Sequence, residues 1–252
     1  MTEPGGVPVG RHADTDEAPT VATGVSTDAS DGQAGLYVQY GCGMSCPTGW
    51  INFDASPTLR LQRLPLIGKL FRRYAVAFPD AVRFGDITKG LPIAAGSVQG
   101  VYASHVLEHL SLAEFWLALG NTFRMLRPGG IFRLVVPDLE VRARKYLEKL
   151  DANDAQANAW FMRTAHLGLE ERAPGLGAAA RNAFGRSAHL WMWDESSLTA
   201  ALAKTGFVRI RRCRFNDGAD QAFRLVEDAA RFRDDVAGLD ECAMEAIKPE
   251  QP

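Results

Sequence analysis

Cysteine is scarce in this 252-residue chain: the four present, Cys42, Cys46, Cys213 and Cys242, are too few and too scattered for a disulfide framework or a structural zinc site. They read instead as small buried packing residues. No apolar run is long enough to span a bilayer, and the N-terminus lacks the basic start and apolar stretch of a secretory signal. A cytoplasmic location is therefore expected. Charge of one sign is also missing. A formal net charge of -2 gives no general attraction to nucleic acid or to an anionic membrane. Residues 1–34 contain no aromatic residue and are rich in Gly, Pro, Thr, Ala and Asp, so they are expected to form a disordered tail.

The remaining chain, 35–252, has room for one α/β domain, and the 46% apolar and 23% charged residues are ordinary for one. Short apolar runs alternate with helical stretches, the signature of a parallel sheet with crossover helices. Strands are expected at Leu36–Tyr40, Trp50–Asp54, Val82–Phe84, Val98–Ser104, Ile131–Val136 and Phe207–Phe215. A last strand, Cys242–Ile247, would pair antiparallel with the one before it. The best-marked helix starts at Ser111, where Ser111-x-x-Glu114 forms a capping box beside a Leu110–Phe115 staple. Its apolar face is Leu112, Phe115, Trp116, Leu119, Phe123 and Leu126, and Pro128-Gly129-Gly130 ends it. Asp194 caps a second helix that Gly206 closes. Between them, about 150–190 reads as an irregular insertion that covers the substrate.

Several strand ends carry residues suited to a nucleoside ligand. Gly41 and Gly43 allow a sharp turn and close backbone approach to a ligand. A dinucleotide fingerprint would need Gly or Ala where Cys46-Pro47 stands. Asp54 is either a ribose-binding carboxylate or a turn-forming residue. Asp86 is either an acceptor for an adenine amino group, with Ile87 packed on the ring, or a cap. Neutral imidazoles can accept protons near pH 7, so His105, His109 and His189, together with Asp138, are the candidate bases. Each histidine has a structural alternative, as a cofactor contact, a backbone partner or a segment anchor. No ligand cluster is legible, so no metal is expected.

The segments Gly41-Cys-Gly43, Gly49-Trp-Ile-Asn-Phe-Asp54, Gly85-Asp86, His105-Val-Leu-Glu-His109-Leu and Leu126-Arg-Pro-Gly-Gly130 occur in one order. In that order the chain resembles class I S-adenosylmethionine-dependent methyltransferases of the methyltransferase-11 type, in a subgroup with many uncharacterised bacterial members. The resemblance covers roughly 36–140, and His189-Leu-Trp-Met-Trp-Asp194 extends it. It implies a Rossmann-like, mostly parallel seven-stranded sheet with helices on both faces and the last strand antiparallel. S-adenosyl-L-methionine would be the cofactor, held by the Gly41-Cys42-Gly43 turn, Asp54 at the ribose, and Asp86 with Ile87 at the adenine. Ser104 and His105 would lie beside the sulfonium. The implied activity is methyl transfer to an oxygen, nitrogen or carbon of a small-molecule or glycan acceptor. The alternative is a non-catalytic cofactor-binding or accessory protein. One departure stands out: Asp54 follows Gly43 by 54 − 43 = 11 positions, whereas about twenty is usual when a helix joins such strands. The first crossover helix is therefore expected to be shortened or absent.

Leu59 to Tyr74 mixes leucines with Arg60, Arg63, Lys69, Arg72 and Arg73, a lid over the cofactor or a membrane-surface contact at 59–74. Trp191 and Trp193 are packing residues or a substrate platform. Arg209, Arg211, Arg212 and Arg214 are expected on a solvated strand edge.

Overall fold

A computed structural model describes residues 35–65, 77–168 and 188–250. The expected tail at 1–34, most of the proposed lid at 59–74 and residues 169–187 of the expected 150–190 insertion lie outside the described residues.

Seven strands form one sheet in the order β3-β2-β1-β4-β5-β9-β6. They are β1 (Leu36–Tyr40), β2 (Trp50–Asp54), β3 (Val82–Phe84), β4 (Val98–Ser104), β5 (Leu126–Val136), β6 (Val208–Arg212) and β9 (Cys242–Ile247). β1 to β5 pair in parallel, whereas β9 runs antiparallel to both β5 and β6. A two-stranded ribbon, β7 (Arg233–Asp234) and β8 (Leu239–Asp240), stands apart. The order turns back between β1 and β4, and such a switch point opens a crevice beyond the carboxyl ends of the strands.

One face is covered by helices. α2 (Leu112–Met125) starts at the expected capping box, with Ser111 Oγ accepting from Glu114 N–H and Glu114 Oε2 accepting from Ser111 N–H. α5 (Glu195–Thr205) is capped by Asp194 and closed by Gly206 in the left-handed region at φ 106°. Phe115, Leu119, Leu198 and Leu202 pack with Val38, Val101 and Phe132 of the sheet. The ends of the expected α2 stripe differ: Leu112 is exposed, and Leu126 joins the same core but as the first residue of β5.

The opposite face departs most from a simple crossover pattern. Residues 41–49 contain no helix, so β1 returns to its parallel neighbour β2 through a bare loop. Nine extended residues reach about 30 Å, enough to run back along a five-residue strand. Buried amides hold this loop down: Gln39 Nε2 donates to Ser45 O at 3.1 Å and to Asn52 Oδ1 at 2.6 Å, and Asn52 Nδ2 donates to Trp50 O at 3.0 Å. The long connection between β6 and β9 covers the rest of this face through Phe223, Val226 and Phe232, with its helical part in 3-10 turns at Gln221–Leu225 and Ala229–Arg231. Tyr37 Oη donates to Asp220 Oδ2 at 2.5 Å and ties that connection to β1.

After β5 the chain forms α3 (Leu139–Asp151) and α4 (Ala157–Thr164). Arg142 of α3 is buried and bridges to Glu241 and Asp234 of the β7–β9 region. Arg133 on β5 is fully buried among Glu227, Asp217 and Glu245. The basic run on β6 is not simply solvated: Arg211 pairs with Glu245 and Asp217, and Arg212 with Asp138 and Glu195.

Candidate functional site

A cleft of about 630 Å³ opens at the carboxyl ends of β1 to β4. Its lining joins Tyr40-Gly41, Asp54 to Pro57, Gly85 to Lys89, and His105, Val106 and His109. Residues 65 positions apart in sequence, such as Gly41 and Val106, meet here because β1 and β4 are neighbours.

The glycine turn has a steric basis. Gly41 adopts φ +65°, and a Cβ there would lie 2.1 Å from Val106 Cγ2. Gly43, at φ +53°, has nothing within 4 Å of its absent Cβ, leaving its backbone open to a ligand. Asp54 fixes the turn: Oδ2 accepts from Gly43 N–H at 2.9 Å and Oδ1 from Ser56 N–H at 2.7 Å. Each carboxylate oxygen retains a second acceptor site. Ser56 in turn caps α1 (Pro57–Gln62).

Asp86 caps the 3-10 turn Ile87–Lys89, one of the two roles open to it in sequence, and it also lines the cleft. Its Oδ1 accepts from Thr88 N–H and Oγ1, and Lys89 lies 3.3 Å from Oδ2. Burial pushes its carboxyl up, but these donors and the lysine outweigh it and hold the carboxyl below its ordinary range. Ile87 is buried against the core.

The 3-10 turn Leu107–His109 after β4 brings three titratable groups together. His105 precedes it in the left-handed region at φ 53°. Its Nε2 meets the Arg231 carbonyl at 2.9 Å and its Nδ1 lies 3.4 Å from Glu108 Oε1. Burial pushes the imidazole down, and the neighbouring Glu108 carboxylate and the Arg231 carbonyl more than reverse this, leaving it raised. His109 Nδ1 faces the Ala188 carbonyl at 3.2 Å, and its Nε2 lies 3.8 Å from Glu108 Oε1.

Other expected site residues fall elsewhere. Asp138 is fully buried outside the cleft lining, where Oδ1 accepts from Val141 N–H to cap α3 and Oδ2 pairs with Arg212 at 2.7 Å. His189 is buried behind His109, their rings 5.1 Å apart, and burial pushes its imidazole down to about 4. Ser104 does not line the cleft, and its hydroxyl is buried without a hydrogen-bond partner. Cys42 lies beside the turn with its thiol pushed up to about 12 by burial and then by Asp54. Cys42 and Cys46 are half-buried, in contrast to the expected full burial, which Cys213 and Cys242 do show. Trp193 stacks on Phe115 at 3.9 Å within the core, and Trp191 is exposed.

Glu108 is the residue sequence reasoning passed over. It sits between two histidines in the quoted motif, yet its complete burial and its approach to His189, 81 positions away (189 − 108), depend on how the 188–193 segment packs.

Residues 40–134 match a family described as "Methyltransferase domain". Among solved structures, the chain is similar to a SAM-dependent methyltransferase from Archaeoglobus fulgidus at 14% identity and TM-score 0.44, covering 85% of this chain and 87% of that one. It is also similar to the Burkholderia thailandensis 1,6-didemethyltoxoflavin-N1-methyltransferase, solved with 1,6-didemethyltoxoflavin and S-adenosylhomocysteine, at 17% identity and TM-score 0.42, covering 85% and 71%. The YcgJ protein of Bacillus subtilis is similar at 14% identity and TM-score 0.41, covering 86% and 93%. Likenesses at this level fix neither substrate nor acceptor. No curated protein matches the chain. Among the described residues, no helix is long and apolar enough to cross a membrane.

Proposed function

We propose, from the match of residues 40–134 to a methyltransferase domain family, that this chain is a class I S-adenosylmethionine-dependent methyltransferase that methylates a small-molecule or glycan acceptor in the cytoplasm and binds its cofactor in the cleft beyond β1 to β4. The observation that carries the reading is the convergence of Gly41, Asp54, Asp86 and Ile87 on one cleft. The residues fit a nucleoside with a chain attached. Gly41 borders the cleft with no side chain to obstruct the methionine part, Asp54 keeps acceptor sites for ribose hydroxyls, and Asp86 beside Ile87 offers an acceptor next to an apolar wall.

S-adenosylmethionine supplies a methyl group on a cationic sulfur, so attack by a nucleophile on the methyl carbon forms one bond as the carbon–sulfur bond breaks. What the protein contributes is placement, which lowers a barrier by about 7–11 kcal/mol in favourable cases. His105 faces the Arg231 carbonyl and Glu108 and is a positioning residue in this arrangement, Asp138 and His189 lie off the cleft, and His109 lines it.

Thermal unfolding with S-adenosylmethionine, S-adenosylhomocysteine or NADH tests the reading. A ligand at a hundredfold excess over its Kd adds about 2.7 kcal/mol, so either sulfur compound should raise Tm and NADH should not. Stabilisation by NADH alone overturns it. Cofactor turnover with amine and phenol acceptors then separates an enzyme from an accessory protein, the alternative that the missing first crossover helix favours.

A further inference from the structure

We infer that Glu108, His109 and His189 form a binding site for one divalent transition-metal ion of the zinc class, behind the wall of the cleft. Their ligand atoms, one from each, all lie within 4.8 Å of one another. A tetrahedral ion with bonds of about 2.0–2.2 Å holds its ligands about 3.4 Å apart, so rotamer adjustments of about an ångström close the set.

Three independent features point to a cation here. Among the described residues, Glu108 has no side-chain exposure and neither of its carboxylate oxygens has a partner at hydrogen-bond geometry, with His105 Nδ1 standing off at 3.4 Å and His109 Nε2 at 3.8 Å. A buried charge in that state costs several kcal/mol unless something compensates it. His105 Nδ1 at 3.4 Å is its nearest ion-pair partner, and that ring also faces the Arg231 carbonyl. His109 shows the arrangement of a preset ligand: a Nδ1–H donated to the Ala188 carbonyl at 3.2 Å leaves Nε2 as the lone-pair nitrogen, and this atom is the one 3.8 Å from Glu108. The backbone holds the third ligand in place, because Glu108 O accepts from both Leu190 and Trp191 N–H, at 2.7 and 3.1 Å, and His189 N–H donates to His166 O. Two imidazoles and one carboxylate suit zinc-class ions better than calcium or magnesium, which prefer all-oxygen sets. Three protein ligands leave the fourth position to water. The ion would join the turn after β4 to the segment leading into α5.

The site does not depend on the cofactor reading, and its test is kept separate from cofactor binding. The full-length protein, stripped with chelator, is dialysed against Zn²⁺ and, separately, Co²⁺, and bound metal is counted by mass spectrometry. One ion per chain is expected, with Co²⁺ showing visible bands of a nitrogen–oxygen tetrahedral site and no thiolate charge-transfer band. Glu108→Gln and His189→Gln should each weaken binding by at least about tenfold, while Cys46→Ser leaves it unchanged. Less than one ion per chain, a thiolate band, or unchanged affinity in both ligand variants overturns the assignment. If a variant fails to fold, the wild-type stoichiometry and Co²⁺ spectrum still decide. S-adenosylhomocysteine titration of metal-free protein reports on the cofactor site alone.

Discussion

Replacing Gly41 and Gly43 one at a time by alanine separates backbone strain from steric conflict. Both residues have positive φ, +65° and +53°, so a side chain at either costs about 1–2 kcal/mol for entering the left-handed region. At Gly43 nothing lies within 4 Å of the new Cβ, so strain is the whole cost. At Gly41 the new carbon meets Val106 Cγ2 at 2.1 Å. Because Val106 packs against the core, relieving that overlap resembles overpacking and adds about 1–3 kcal/mol. Gly41→Ala should therefore be less stable than Gly43→Ala by about 1–3 kcal/mol in urea midpoints at constant m. Val106→Ala removes the offending methyl and leaves Cβ at 3.4 Å, so the double variant should recover most of that excess but none of the strain. Equal destabilisation at the two glycines, or strict additivity of Gly41→Ala with Val106→Ala, would refute this account of the turn.

Arg133→Met should destabilise the fold by about 3–5 kcal/mol in the same assay, because it removes the ion-pair partner of buried Glu227 and leaves Glu245 with Arg211 alone. The carboxyl of Asp86 is held below its ordinary range by Thr88 and Lys89 against the opposing effect of burial. It therefore contributes stability above its unfolded pKa, about 3.9, which is lost as pH falls through the lower folded value. Asp86→Asn should flatten the acid limb of the stability–pH profile, and an unchanged limb would contradict this. Cys42, Cys213 and Cys242 have thiols pushed from 9.0 up to about 12, first by burial. Native protein near neutral pH should carry about a thousandfold less thiolate at these positions than an ordinary cysteine. Peptide mapping after brief alkylation should find them unlabelled until denaturant is added.

Much of this fold is written locally. The parallel strands are short apolar runs with a polar or glycine end, and buried parallel strands need little else. The Arg-rich β6 is exposed or half-buried throughout, pairs antiparallel and keeps only Val208–Arg212 of the expected Phe207–Phe215. Ser111 with Glu114, and Asp194 with Gly206, mark helix ends through contacts within a single turn, which a linear reading captures. The 11-position spacing from Gly43 to Asp54 foretold the bare crossover. β5 begins earlier than expected, at Leu126, because Pro128-Gly129-Gly130 is drawn into the sheet by partners far away: Gly129 N–H donates to Lys248 O, and Lys248 N–H to Gly130 O. Distance in sequence hid the rest. Asp138 reads like a strand-end acid, yet Arg212 and the α3 cap engage it. Glu108 reads like a spacer between histidines, and only the packing of 188–193 encloses it.

Isothermal titration of S-adenosylhomocysteine into the wild type and into Asp54→Ala tests the central claim most directly. Stoichiometric 1:1 binding to the wild type is expected, with affinity reduced at least about tenfold in the variant, since the carboxylate fixes Gly43 and, in the proposed site, would accept from the ribose. No binding to the wild type, or equal affinity in the two proteins, would contradict the placement of the cofactor in the β1–β4 cleft.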